Sequence, residues 1–130
     1  MSAPALNGAT CFLSITASDI TASLKFYVDG LGFEIADRME PDGVLRFAML
    51  RAGNVMLGVG QDDFAKGRDR VKGVGCRLWI STTEDVVALA HRAKAAGLKL
   101  DADPAPLEWG PMAFAIVDPD GFAITISSAS

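Results

Sequence analysis

Few side chains in this chain of 130 residues can do chemistry, and their spacing argues against most kinds of it. His91 is the single histidine. It sits inside a helical pattern with no Cys or His at metal-ligand spacing, so it reads as a surface or half-buried helix residue. No nucleophile-elbow pattern surrounds any serine, which leaves a Ser-His-Asp site without a frame. Cys11 and Cys76 share the parity of Leu13 and Leu78 and have no electropositive setting, so they read as reduced core thiols. Gly58-Val59-Gly60 and Gly73-Val74-Gly75 lack the longer glycine fingerprint, set between strand and helix, that a dinucleotide needs. Asp118-Pro119-Asp120-Gly121 has the acids of a calcium loop but none of the further oxygen ligands at regular spacing. It suits a type I turn followed by an αL glycine, the three-residue hairpin with a G1 bulge. Recognition chemistry remains: Trp79 and Trp109 for stacking, Arg77 and Arg46 for anions or carbonyls.

The elements that would position these residues come in two copies. Advanced by 65, residues 11–32 fall on residues 76–97, with Cys11/Cys76, Leu13/Leu78, Ile15/Ile80, Leu24/Leu89 and Gly32/Gly97 identical. At an offset of 67, residues 45–59 fall on residues 112–126, with Phe47/Phe114 and Ala48/Ala115 identical. An internal repeat of this kind constrains architecture before any motif does. Each copy opens on an alternating stretch, Phe12 to Ile15 and Arg77 to Ile80, suited to a strand with one buried face. Polar clusters ending in Asp19 and Glu84 then start helices over residues 19–31 and 84–96, which close at Gly30 or Gly32 and at Gly97. Strands over 34–39, 45–51 and 54–59 complete the first copy. Strands over 98–101, 112–117 and 122–127 complete the second.

The fold class is therefore α+β: two tandem β-α-β-β-β modules forming a curled mixed sheet around a cleft. One domain spans residues 1–130, with module 1 at about 9–60, a polar linker at 61–75 and module 2 at about 76–127. Residues 127–130 are expected to fray.

The final hairpin sets side-chain parity. With Asp118 paired to Phe122, Val117 opposes Ala123, Ile116 opposes Ile124 and Ala115 opposes Thr125, and cross-strand partners share a face. Phe114, Ile116, Phe122, Ile124 and Ile126 then pack on the helices, and Ala113, Ala115, Ala123 and Thr125 take the second face. Carried to the first copy by the repeat, Phe47 and Met49 are core, while Arg46, Ala48, Met56 and Gly58 share the second face. On the opening strands Leu13, Ile15, Leu78 and Ile80 go to the core, and Phe12, Ser14, Arg77 and Trp79 to the second face. Small residues leave volume there and a few large ones line it, which is the composition of a ligand cleft. A dimer interface or a second packed core has a similar lining.

Charge and hydropathy exclude other classes. The formal net charge of −4 and the absence of a basic run disfavour nucleic acid, whose binding depends on Lys and Arg at phosphates. No apolar run is long enough to span a membrane, and the N-terminus has no charged and apolar leader, so a cytoplasmic location is expected.

The stretch from Asp19 to Tyr27, leading to Gly30-Leu31-Gly32-Phe33, resembles the vicinal oxygen chelate superfamily. So do Glu108-Trp109-Gly110, Phe114-Ala115 and Asp118-Pro119-Asp120-Gly121-Phe122, which look most like its bleomycin-resistance branch. The group also includes glyoxalase I, extradiol dioxygenases and fosfomycin-resistance enzymes. The resemblance runs from about Ala9 to Ser127 and implies paired modules, a cleft and usually a dimer. Metal-using branches place ligands at positions that correspond to Phe12, Gly58, Arg77 and Thr125. Phe and Gly have no donor side chain, Arg is a permanent cation, and Thr alone is a poor ligand, so no metal and no cofactor are expected.

These readings converge on a metal-independent protein that binds or sequesters an aromatic or partly apolar small molecule, and the resemblance implies antibiotic resistance by drug binding as its specific form. The expected ligand-binding set is Phe12, Ser14, Arg46, Ala48, Met56, Arg77, Trp79, Trp109 and Thr125, with no catalytic residue. The alternative is a glyoxalase-like lyase or isomerase, or a dioxygenase relative, using metal bound unconventionally; a metal-free acid/base enzyme would instead draw Glu40, Asp42 or Glu108 from loops. A homodimer is expected, since a lone curved sheet would leave strand edges exposed.

Overall fold

A computed structural model describes residues 5–129 of the protein. Two aspartates start its helices. Asp19 accepts the N–H groups of Thr21 and Ala22, and Asp85 those of Val87 and Ala88, so each carboxylate satisfies donors that the first turn leaves free. The second cap falls on Asp85, one residue beyond the Glu84 that the repeat points to.

The chain runs β1 (Phe12–Ala17), α1 (Ile20–Leu24), β2 (Glu34–Met39), β3 (Phe47–Ala52), β4 (Val55–Gln61), β5 (Arg77–Thr82), α2 (Val86–Ala95), β6 (Leu100–Pro106), β7 (Met112–Val117) and β8 (Ala123–Ser128). Helix α1 continues through Lys25–Gly30 as a wider π-helical turn, with Leu31 N–H donating to the Phe26 carbonyl at 3.2 Å. The extra residue in that turn lets the adjacent rings of Phe26 and Tyr27 both face inward, in edge contact at 4.8 Å.

The strands form two four-stranded sheets, ordered β1-β4-β3-β2 and β5-β8-β7-β6. In each, the opening strand lies parallel to the last and the other pairs are antiparallel. The fold is α+β with two β-α-β-β-β modules in tandem. Helix α1 packs on β4, α2 packs on β6 to β8, and the wide turn packs on α2. Residues from both sheets and both helices therefore share one core, with Tyr27, Leu50, Leu57, Phe114, Ile116 and Ile124 almost fully buried. Each such side chain contributes roughly 1.5–3 kcal/mol of burial.

Strand β6 extends to Pro106, past the expected end at Asp101, and carries Pro104 within it. An edge position and two register shifts allow this, because one side of an edge strand needs no ladder donor. The expected fraying is not seen in the described part of the tail. Ser127 and Ser128 close β8, and Ala129 N–H donates to the Thr82 carbonyl at 2.8 Å. Ser130 lies outside the described residues. The cysteines are not core residues: Cys11 is exposed and Cys76 half-buried, because both stand just before the strands that carry the parity.

The linker is not a passive polar stretch. Lys72 Nζ lies 3.0 Å from the Asp62 carboxylate and 3.0 Å from Ser18 Oγ, and Lys72 and Asp62 are both buried. The Phe64 N–H and the Lys72 ammonium hold the Asp62 carboxyl below the usual range. Ser18 is held in turn by Asp120, whose carboxylate accepts from the Ser18 hydroxyl at 2.6 Å and from its N–H. Two residues earlier along the same hairpin, buried Asp118 accepts the Tyr27 hydroxyl at 2.8 Å. This network joins the end of module 2 to the start of module 1.

Candidate functional site

The second face of each sheet points away from the common core. On module 2 it is built as the final hairpin implies. Asp118 N–H donates to the Phe122 carbonyl, Gly121 N–H donates back to Asp118, and Val117, Ile116 and Ala115 oppose Ala123, Ile124 and Thr125. Arg77 and Trp79 then stand beside Thr125 and Ser127 across the parallel pair. Arg77 donates to Thr125 Oγ1 at 2.8 Å, and the Trp79 indole N–H donates to Ser127 Oγ at 2.9 Å. Trp109, from the loop between β6 and β7, stacks on Trp79 with centroids 6.0 Å apart and planes at 29°. Trp79 is 47% exposed and Trp109 69%. This is a preformed aromatic platform. Its polar ends are fixed by side chains on β8, and one guanidinium nitrogen of Arg77 is already held while others stay available.

On module 1 the second face differs from the expected one. Phe12, Ser14 and Met56 lie on it, as the alternation implies. Ala48 does not: it is fully buried in the core beside Leu50, while Phe47 and Met49 take the second face. Arg46 also lies on the other side. It pairs with Gln61, whose parallel partner Ala17 is core, and it lines a surface hollow with Asp19 and Phe64. The cause is the hairpin length. The β3–β4 turn has two residues, Gly53 and Asn54, between Ala52 and Val55, whereas the β7–β8 turn has three between Asp118 and Phe122. One residue fewer flips the parity of β3 relative to β7. Phe47 instead lies over Gly58, where an added Cβ would come within 2.9 Å of its ring and 3.4 Å of the Phe12 ring. Gly58 is thus the floor that lets two phenyl rings settle on this face.

Sequence reasoning missed Phe47, Met49 and Ser127 on these faces, and also Asp37, which pairs with Met49 across a bulge in β2. The Gly-Asn pair between two alternating strands is the signal that would have found the first two.

The structure brings Arg77, Thr125, Trp79 and Trp109 into one cluster and Phe12, Met56 and Phe47 into another. Among the described residues, no hydrogen bond, ion pair or ring contact joins the two clusters. Glu40, Asp42 and Glu108 are all exposed on loops. The positions that correspond to metal ligands hold Phe12, Gly58, and an Arg77–Thr125 hydrogen bond. That donor set does not fit a divalent cation, since a guanidinium stands where a ligand lone pair is required. Among the described residues no three His, Cys, Asp or Glu side chains are placed to hold a metal, and no helix is long and apolar enough to cross a membrane.

Comparison with solved structures shows the same fold in several proteins. TioX from Micromonospora sp. ML1 superposes with a TM-score of 0.77 at 19% identity, covering 95% of this chain and 100% of that one. UcmS2 gives 0.74 at 16% identity, covering 94% and 98%. A glyoxalase-related enzyme from Fulvimarina pelagi gives 0.73 at 19% identity, covering 95% and 88%. No curated protein matches the chain. Residues 10–126, nearly the whole of both modules, match the family model, and the chain belongs to the Glyoxalase/Bleomycin resistance protein/Dioxygenase superfamily.

Proposed function

We propose that this protein binds and sequesters a planar, partly apolar small molecule, without a metal, across the second faces of its two kinds of module. The observation that carries the reading is the Trp79–Trp109 stack, pinned by Ser127 and flanked by Arg77. Apolar walls with a few fixed polar groups are what such sites need. A ligand ring stacks on the open outer face of Trp109, or enters between the indoles after the Trp109 loop moves outward. Arg77 orients an anionic or carbonyl group. On the module 1 face, Phe12, Phe47 and Met56 supply apolar wall, and Asp37 faces any cationic group. Acid and base on opposite walls reconcile a net acidic chain with a cationic site residue, and they suit a bleomycin-type or other aromatic natural product. Drug resistance by sequestration in the cytoplasm is the corresponding role.

The test is a thermal-shift screen of bleomycin and of flat aromatic acids and amines. A ligand at 100 times its dissociation constant adds about 2.7 kcal/mol of stability. Trp79→Ala is expected to weaken the best ligand about two- to tenfold, the worth of one stacked pair. It should leave the fold intact, because the indole is half exposed. No shift with any ring-bearing probe, or full binding by Trp79→Ala, would sink the reading.

Each chain offers one face of each kind, turned away from the shared core. A homodimer that sets module 1 of one protomer against module 2 of its partner would close the cleft, with an isologous interface as the default. Light scattering is expected to report twice 13.7 kDa at micromolar protein. A particle of 13.7 kDa would refute the assembly.

A further inference from the structure

The repeat creates two equivalent junctions between the modules, and they are finished differently. At one, the longer β7–β8 hairpin reaches across to Tyr27 and Ser18 and fills the space with Asp118 and Asp120. At the other, the β3–β4 turn is one residue shorter and stops at Gly53-Asn54. A cavity of about 540 Å³ remains there, between that turn, the loop after α1 and the first turns of α2. Leu31, Phe33, Val55, Ile80, Leu89 and Ile126 form an apolar wall, and Asn54, Ser81, Thr82 and Thr83 line the remainder. The volume falls in the range of small-molecule sites. It lies on the helix side of the sheets, away from the second faces.

Its charge is placed at the ends. Arg92, on α2, lies over Gly32, whose φ is +86°; even a Cβ there would stand 3.5 Å from Arg92 Cζ, in ordinary contact. Arg92 Nε and one terminal nitrogen donate to the carbonyls of Asp29 and Val28, at 3.3 and 3.4 Å. These bonds are long, and no ion pair neutralises the group among the described residues. Glu84 stands at the opposite end, before the helix begins. Arg92 follows Val86 by six positions, about 9 Å along the helix, with Leu89 between them. An unpaired cation at one end of an apolar trough, with a carboxylate at the far end, selects an elongated monoanion in one orientation.

We propose that this inter-module cavity binds a medium-chain carboxylate, its head group on Arg92 and its apolar chain against Leu89, Ile80 and Ile126. The site is independent of the aromatic platform and can be occupied with or without a ligand there.

Methyl NMR of the intact protein titrated with octanoate tests it. Saturable shifts are expected at Ile80 and Ile126, with none at the Trp79 indole. Arg92→Gln should weaken octanoate at least about tenfold. Leu89→Trp should abolish the shifts by filling the trough, and it keeps the test open if Arg92→Gln alters the helix. Octanol, which lacks the charge, should bind more weakly than octanoate. The proposal is overturned if octanoate gives no saturable shift, if octanol binds as well, if Arg92→Gln binds octanoate normally, or if the shifts appear at Trp79 and Thr125 instead.

Discussion

Ala48→Asp is expected to leave the protein unfolded, while Phe47→Ala, one residue away, leaves it folded. Ala48 is fully buried in the apolar core, beside Leu50 and opposite Val59. An unpaired carboxylate there costs several kcal/mol, against a total stability of roughly 5–15 kcal/mol for a domain. Phe47 lies on the opposite face, half-buried over Gly58. Its removal forfeits part of one ring contact, about 1–2 kcal/mol, and opens space on the second face. Urea denaturation followed by circular dichroism separates the two outcomes. A folded Ala48→Asp beside an unfolded Phe47→Ala would mean that β3 presents the reverse faces.

That pair of neighbours also marks where the sequence ceased to be legible. Alternation in Phe12 to Ile15 and Arg77 to Ile80, the helix starts and the Asp118–Gly121 turn each carry their own local cause, and the two-module fold follows from them. The second face of module 2 follows too, because the turn type sets the register of both its strands. The face of β3 was inferred from the repeat instead. β1 and β5 correspond at an offset of 65 and β4 and β8 at 67, but β3 and β7 correspond at 66, as their pairings show. The identities Phe47/Phe114 and Ala48/Ala115 favoured the wrong value, and with a side-chain period of two a slip of one residue reverses every face. Arg46 and Ala48 left the site for that reason, and Phe47 and Met49 entered it. The partner of Tyr27 lies 91 residues away, and the linker's Lys72 reaches Ser18 across 54; no local pattern encodes such contacts, which depend on how the modules pack.

Asp118→Ala carries the second large effect. Asp118 accepts the Tyr27 hydroxyl at 2.8 Å and the N–H groups of Asp120 and Phe122 at 2.9 Å each. Alanine strands a buried phenol and two turn donors, at about 1–3 kcal/mol for each group left unsatisfied. A loss of about 3 kcal/mol or more is expected, enough to loosen the contact between modules. Asp118→Asn keeps an acceptor and should cost much less. Its comparison with the parent chain has a pH signature. Burial pushes the Asp118 carboxyl above the usual range, against the pull of the Tyr27 hydroxyl and the turn N–H groups. The folded state then holds its proton more tightly than the unfolded one. The stability from this group is full below the ordinary carboxylate pKa and is lost as pH rises through the raised value. Asp118→Asn removes that slope, so its stability relative to the parent should improve across the window as pH rises. Denaturation at a series of acidic pH values checks the sign, and a difference that is flat or falls with pH would contradict it.

The chain's two tryptophans are the ones stacked on the second face of module 2. All of its indole absorption and emission therefore originates at one spot on the molecular surface. Two transition dipoles 6.0 Å apart, with ring planes inclined at 29°, couple strongly enough to split into an exciton pair, which far-ultraviolet circular dichroism records as a signed couplet. Anything that parts the rings erases the couplet, and anything that lies on them changes the colour and yield of the emission. The fold thus carries its own optical gauge of that face, readable without a label.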